Sequence, residues 1–293
     1  MIRTNGFSGV LPLLALGLAT ALLGCDSGSN GSTGGSGGTG GSGGSIGGPL
    51  RILITNDDGV KAEGIDAVVE ALKDDPNNDI IVCAPATQQS GSGDQRTPTP
   101  PPLEAMMTTT ASGYPATAVM GFPSDAVIYA LENLYLDAPP HVVLSGINEG
   151  QNVGDVAGVI SQTSGTVGAA KTAACADVPA LASSQGNGPP YDYPSGVTEV
   201  LTWLEEHRAA LLAGQVGVEN ITSINVPSCD PGSIRGRAEV PLATSKPDYV
   251  PSLNGKQDCE STLTSPGDDV EAFFNGYVAI TPVPRNSSRT CER

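Results

Sequence analysis

From Leu50 onward the chain alternates short apolar runs with segments whose apolar residues recur at helical spacing, and no other feature restricts its fold as much. An apolar run too short for a buried helix, bounded by turn residues, reads as a strand covered on both faces, and such strands need helices packed above and below them. Leu50 to Thr55, Ile80 to Ala84, Thr117 to Met120, His141 to Leu144, Ala180 to Ser183 and Thr222 to Val226 read as strands. Ile65 to Lys73, Ser124 to Leu134, Gly165 to Ala176 and Val197 to Leu212 read as helices between them. Ser124 and Asp125 after Pro123 make a helix start, because their side chains can accept the unpaired N–H groups of a first turn.

The expected fold is therefore α/β, a doubly wound, largely parallel, Rossmann-like sheet flanked by helices. After Pro227 the chain becomes rich in Pro, Gly and Ser before a last strand-like run from Tyr277 to Thr281. This part is expected to be a β-rich C-terminal extension that packs against a second subunit.

The first fifty residues have a different character. Arg3 is followed by an apolar run from Val10 to Leu23, too short for a comfortable membrane span and of signal-peptide size. Its end, Leu22-Leu23-Gly24-Cys25, resembles the lipobox of bacterial lipoproteins, in which the Cys is lipidated. Ser27 to Gly48 is almost wholly Gly, Ser and Thr, a flexible tether. The expected organisation is a signal peptide over 1–24, lipidated Cys25 and linker over 25–49, and one catalytic domain over 50–293. The protein is accordingly expected to be exported and lipid-anchored to a bacterial membrane, facing the periplasm or the cell exterior.

With 31 Asp and Glu against 14 Lys and Arg, the net charge of -17 repels nucleic-acid polymers and anionic membrane surfaces, leaving the lipid as the membrane contact. A small phosphorylated ligand remains possible if positive potential comes from a metal ion and backbone N–H groups. Beyond Cys25 there are five cysteines, Cys83, Cys175, Cys229, Cys259 and Cys291. Cys229 with Cys259 is a plausible bridge, Cys83 reads as a buried thiol, and the spacings fit no zinc template.

The motifs that carry chemistry all follow strands. The first strand runs into Asn56-Asp57-Asp58-Gly59. Two adjacent carboxylates at the mouth of a buried strand repel each other unless a cation lies between them, and oxygen ligands suit Mg2+ or Mn2+. After the second strand comes the small, polar loop Ala84 to Gly93, with hydroxyls that could complete a metal shell or touch phosphate. Ser145-Gly146-Ile147-Asn148-Glu149-Gly150-Gln151-Asn152-Val153-Gly154 follows the fourth strand, and Ser164-Gly165-Thr166-Val167-Gly168 opens a helix whose free N–H groups can hold an anion. Neither loop fits the Walker lysine motif or the dinucleotide Gly-x-Gly-x-x-Gly fingerprint.

In order and approximate spacing these motifs, with Gln89-Ser90-Gly91, Gly121-Phe122-Pro123-Ser124-Asp125 and Gly276 to Pro282, resemble the SurE family over roughly residues 50 to 284. The resemblance implies that Asp57, Asp58, Ser90 and Asn148 bind one divalent cation per subunit, Mg2+ or Mn2+. It also implies that Asn152 and the Ser164-Gly165-Thr166 turn hold the phosphoryl oxygens. The family hydrolyses nucleoside 5'- and 3'-monophosphates, some members act on polyphosphate, and they assemble as dimers or tetramers through exchanged C-terminal segments. The expected assembly here is a homodimer or homotetramer. Departures from the family pattern are a longer segment between Asn148 and Ser164, Thr163 in place of Tyr, and Ala126 where Cys is common.

The expected function is metal-dependent phosphatase action on nucleoside monophosphates, with Asp57 or Asp58 as the catalytic base. Histidine is a poor candidate, since His207 lies on a polar helix and His141 precedes a strand at the wrong end. The alternative is a surface-anchored protein that binds a nucleotide or sugar phosphate without turnover; two carboxylates in the pocket favour the enzyme. No Gly-x-Ser-x-Gly elbow with suitable Asp and His partners is evident, nor an Asp-x-Asp pair after the first strand. Lys61 and Lys171 read as a solvated loop lysine and a surface or packing residue, and Trp203 as core.

Overall fold

Strand β1 (Leu50–Thr55) is buried on both sides, Ile52 and Ile54 packing into one apolar layer and Leu53 into another. That two-sided burial is why its sequence is continuously apolar rather than alternating. The chain is seen here as a computed structural model that describes residues 48–99, 101–155, 159–188, 190–246, 248, 252–287 and 291, with the backbone alone at Val159 and Ser161. All belong to the unit Ser45–Arg293.

In chain order β1 is followed by α1 (Glu63–Leu72), β2 (Asn78–Pro85), β3 (Ala105–Thr109), β4 (Pro115–Val119), α2 (Pro123–Asn133) and β5 (Val142–Glu149). Then come α3 (Val159–Thr163), α4 (Gly165–Cys175), β6 (Ala180–Gln185), α5 (Tyr193–Leu212), β7 (Asn220–Val226), β8 (Arg237–Glu239), α6 (Asp269–Phe274) and β9 (Val278–Pro284). The strands form one sheet in the order β3-β4-β2-β1-β5-β6-β7-β9-β8. From β1 the chain winds outward through β2 to β4 in parallel, then returns to the other side of β1 and winds through β5, β6 and β7. The winding direction reverses between β1 and β5, and a crevice opens at the carboxyl ends of strands at such a point.

Each sheet face has its own core. On α1 the buried residues Ile65, Val68, Val69 and Leu72 fall at helical spacing, and they pack with Val200, Trp203, Leu204 and Leu211 of α5 on one face. Each such side chain stabilises the fold by roughly 1.5–3 kcal/mol. On the other face α2 contributes Ala126, Val127 and Ala130, and α4 contributes Val167, Ala169, Ala170, Ala173 and Ala174. Helix α4 is buried from Gly165 to Ala174, and its small residues let it fit between the sheet, α2 and the loop after β2.

All the expected strands and helices form, with ends shifted by a few residues. The extension after Pro227 adds to the same sheet: β9 pairs antiparallel with β7, and β8 lies parallel to β9. It also holds α6, whose Val270, Ala272, Phe273 and Phe274 are buried. The sequence reading did not anticipate β3, which pairs antiparallel with β4 at the sheet edge. Its Met106 and Met107 are exposed, so no burial pattern marks it as a strand.

Cys229 is bonded to Cys259, as expected, and Cys175 to Cys291. Cys83 is a buried thiol whose Sγ contacts the Ala126 carbonyl at 3.3 Å, and burial pushes its pKa up to about 12. The signal-peptide and lipobox readings, Cys25 included, lie outside the described residues.

Candidate active site

The carboxylate pair is built by the turn that ends β1. The Asn56 side chain closes this turn, Nδ2 donating to the Gly59 carbonyl at 2.9 Å and Oδ1 accepting from the Gly59 N–H at 3.2 Å. Gly59 takes φ +101°, which a residue without Cβ adopts readily. The turn leaves Asp57 buried and Asp58 half-buried, each bound to a different element. Asp57 Oδ1 accepts from Thr166 Oγ1 of α4 at 2.7 Å, while Asp58 Oδ2 accepts from the Glu149 N–H at the end of β5 at 2.9 Å. Asp58 Oδ1 is buried and has no hydrogen-bond partner.

Burial raises the Asp57 pKa, opposed by the Thr166 hydroxyl. Burial and then the neighbouring Asp57 charge push Asp58 up to about 7. Both shifts mark a site that resists holding two bare negative charges.

The loop after β2 folds over this turn. The Gln89 N–H donates to the Asp57 carbonyl at 2.7 Å, and the Gly93 N–H to the Thr163 carbonyl at 3.0 Å. Ser90 is exposed at the cavity rim, whereas Ser92 is buried with its Oγ unpartnered. A Cβ built on Gly165 would lie 2.7 Å from Asp57 Cβ and 2.9 Å from Ser92 Oγ, so glycine is what lets the start of α4 approach the carboxylate. Ser164 caps α4, its Oγ accepting from the Val167 N–H at 3.1 Å.

A cage of side chains that the sequence reading missed holds the Asn148–Asp155 loop. Asn225 of β7 brackets the Asn152 backbone, Oδ1 accepting from its N–H at 2.7 Å and Nδ2 donating to its carbonyl at 3.0 Å. Asn152 Nδ2 in turn donates to Ser184 Oγ at 2.9 Å, and Asn148 Nδ2 donates to the Gly150 carbonyl at 2.5 Å. Asp269 of α6 accepts from the N–H groups of Gly154 and Ala243, at 2.8 and 2.7 Å. Gln151 Oε1 accepts from the Asn187 N–H at 2.8 Å, and its Nε2 donates to the Leu253 carbonyl at 2.7 Å. Asn225 is one of several polar residues on β7, and Asp269 lies in a region without a readable pattern, so neither stands out in the sequence.

Asp57, Ser90, Asn148, Asn152 and Ser164 line a cavity of 460 Å3, with Asp58, Gly165 and Thr166 standing against it through the contacts above. Clefts of 530 and 510 Å3 elsewhere contain none of these residues. Among the described residues no three or more His, Cys, Asp or Glu side chains gather as a metal-binding group, so a cation here would need neutral oxygen donors beside the two carboxylates.

The other polar candidates are occupied elsewhere. Lys61 Nζ donates to Thr109 Oγ1 at 2.8 Å, His141 Nδ1 accepts from the Arg51 N–H at 2.9 Å, and His207 stacks on buried Trp203. Lys171 is a packing residue, 2% exposed, with Asp94 of the loop after β2 at 3.9 Å. Removing the partner of a buried charge costs more than removing the charge itself. Asp94→Asn is therefore expected to lower unfolding stability by about 2–3 kcal/mol and Lys171→Met by less; denaturant melts showing the reverse order would refute this role of the pair.

The deciding comparison is with protein families: the model described as "Survival protein SurE" matches residues 52–247. This chain belongs to the SurE family. Among SurE relatives, the "5'-nucleotidase SurE" of Hyphomonas neptunium is 32% identical over 251 residues, covering 80% of this chain and 92% of the relative. That of Methanopyrus kandleri is 34% identical over 257 residues, covering 80% and 91%. The crystal structure of the SurE protein from Aquifex aeolicus matches with a TM-score of 0.63 at 24% identity, over 80% of this chain and 94% of that one, a likeness of fold.

The comparisons correct the expectation of an exported, lipid-anchored protein. The SurE relatives carry no such designation in their names, although the alignments span 92% and 91% of them. No helix among the described residues is long and apolar enough to cross a membrane.

Proposed function

We propose that this SurE chain is a divalent-metal-dependent phosphoric monoester hydrolase acting on nucleoside 5'- or 3'-monophosphates, with residues 50–293 as its phosphatase domain. The observation that carries this reading is the Asp57–Asp58 pair at the reversal point of the sheet, with buried Asp57 against the start of α4 and the Oδ1 of half-buried Asp58 unpartnered. Relatives named as 5'-nucleotidases favour turnover over mere capture.

The residues present fit a hard cation. Two adjacent carboxylates with raised pKa values and an orphaned buried oxygen are relieved by a positive charge, and Ser90 and Asn148 supply neutral oxygens in the same cavity. We assign Asp57, Asp58, Ser90 and Asn148 to one Mg2+ or Mn2+ ion per subunit. When bound, such an ion polarises a phosphoryl oxygen and lowers the pKa of water.

The chain's own groups do the rest. The Asn152 side-chain amide, which also donates to Ser184 Oγ, and the Ser164-Gly165-Thr166 turn are the groups we assign to the phosphoryl oxygens, the positive end of α4 offsetting charge that grows in the transition state. The bracket of Asn225 on the Asn152 backbone keeps that donor in place. A proton from the attacking water goes to Asp57 or Asp58, and Asp58 Oδ1 has no competing hydrogen bond. The assembly proposed is a homodimer or homotetramer, as in the family.

The test is phosphate release by the whole protein from nucleoside monophosphates and an aryl phosphate, with Mn2+, Mg2+ or excess chelator. Release with either metal, falling at least about a hundredfold under chelation, is the expected result. Release that persists under chelation would remove the metal from the mechanism, and no release from any substrate would remove the hydrolase.

A further inference from the structure

The loop after β2 carries two serines in different surroundings. Ser90 lines the carboxylate cavity, whereas Ser92 does not line it and is only 6% exposed. Among the described residues the Ser92 Oγ has no hydrogen-bond partner. A buried hydroxyl left without a partner costs roughly 1–3 kcal/mol, and the fold sets this one beside the carboxylate turn.

Glycines and backbone hydrogen bonds fix that placement. The Ser92 N–H donates to the Gln89 carbonyl at 3.2 Å, and the Gln89 N–H donates in turn to the Asp57 carbonyl at 2.7 Å. On the other side of the loop, a Cβ on Gly93 would meet the Gln162 carbonyl of α3, and a Cβ on Gly168 of α4 would meet the Gly93 carbonyl. Both glycines therefore let the loop press against these helices. A Cβ on Gly165 would lie 2.9 Å from Ser92 Oγ and 2.9 Å from Asp57 Oδ2. The two oxygens are thus at most about 6 Å apart, a gap that one bridging water spans.

The other donors to the Asp57 carboxylate belong to α4. Thr166 Oγ1 donates to Oδ1 at 2.7 Å, and the N–H groups of Gly165 and Thr166 favour the charged form. We infer that Ser92 is a positioning residue for Asp57: its hydroxyl donates toward Oδ2, directly or through one water, and holds the carboxylate in the orientation that binds the divalent cation. The inference rests on the reading of Asp57 as a cation ligand. Because Ser92 does not line the cavity, it acts on the cation through Asp57 and is not itself a ligand. A carboxylate held from both α4 and the loop loses less freedom when the cation binds, and affinity rises accordingly.

The experiment titrates the whole, metal-free protein with Mn2+ by calorimetry, for the wild type, Ser92→Ala, Ser92→Cys and Asp57→Asn, and records thermal melts of each in chelator. Ser92→Ala should bind Mn2+ about tenfold more weakly than the wild type. Ser92→Cys, whose thiol is a weak donor, should fall in between, and it carries the test if the alanine variant does not fold. The melting temperature of each serine variant in chelator should stay within about 3 °C of the wild type, since the hydroxyl removed has no partner in the chain. Weakening of less than about threefold in the variant tested would overturn the inference by showing the hydroxyl to be idle. Weakening accompanied by a larger fall in melting temperature would overturn it too, by showing that the hydroxyl only supports the loop. A wild type that binds no Mn2+, or an Asp57→Asn variant that binds it as tightly, would overturn the cation reading and this inference with it.

Discussion

Asp57→Asn is expected to lower kcat/KM for metal-dependent phosphate release by at least about a thousandfold while leaving the protein folded. Asn is nearly isosteric with Asp, and its side-chain oxygen can still accept from Thr166 Oγ1, so the 2.7 Å contact that joins the β1 turn to α4 has a replacement. What is lost is one of the two charges proposed to hold the cation, together with a proton acceptor.

The same substitution carries a stability prediction of opposite sign. A carboxyl whose pKa is raised by folding binds its proton more tightly in the native state. Ionising it therefore costs stability as pH rises, for Asp58 through the interval from 3.8 to about 7. Asp57 raises the Asp58 pKa by its charge, so Asn at position 57 should make the metal-free protein melt at a higher temperature at neutral pH. Thermal melts with chelator, beside activity with Mn2+, read both effects; a variant that keeps full activity and metal binding would refute the assignment.

Gly168→Ala is expected to destabilise the protein by about 3 kcal/mol, although alanine is the better helix former by about 1 kcal/mol. A Cβ at this position would lie 2.2 Å from the Gly93 carbonyl oxygen, 2.4 Å from its carbon and 2.7 Å from the Asp94 nitrogen. All three are backbone atoms of the loop that carries Ser90 and Ser92, so the loop or α4 must move. Because the same loop is pinned to Asp57 through Gln89, the displacement should also cut phosphatase activity about tenfold. Denaturant unfolding distinguishes the two forces: a more stable variant would mean that helix propensity wins and that the approach of α4 to the loop is looser than described.

Much of the site was legible in the sequence because the motifs follow strands. Asn56-Asp57-Asp58-Gly59 follows β1, and Asn148 lies at the carboxyl end of β5, so a parallel sheet brings both to one crevice once β1 and β5 are neighbours. The Ser164 cap and glycines of α4 were legible for a similar reason: a side-chain oxygen before a helix and a glycine at its start have local effects that do not depend on distant residues.

Other features depend on residues far apart in the chain. Asn225 brackets Asn152 from a position 73 residues away, and Asp269 ties Gly154 to the C-terminal segment from 115 residues away. Neither residue has a local pattern, since a buried amide or carboxylate is specified by the partners that satisfy it, and those are set by the fold. Edge strand β3 escaped notice because its exposed methionines give no alternation. Lys171 could not be placed firmly on surface or core, because its burial depends on the loop after β2 closing over α4. The amino-acid sequence by itself determined the alternation of strands and helices that builds the parallel part of the sheet, the carboxylate turn and the capped, glycine-opened helix, all of which arise from short-range periodicity and backbone stereochemistry. Only the tertiary structure decided how the C-terminal segment reaches the cavity, where Leu253 and Asn254 form part of the wall, because that arrangement rests on hydrogen bonds between segments the chain keeps far apart.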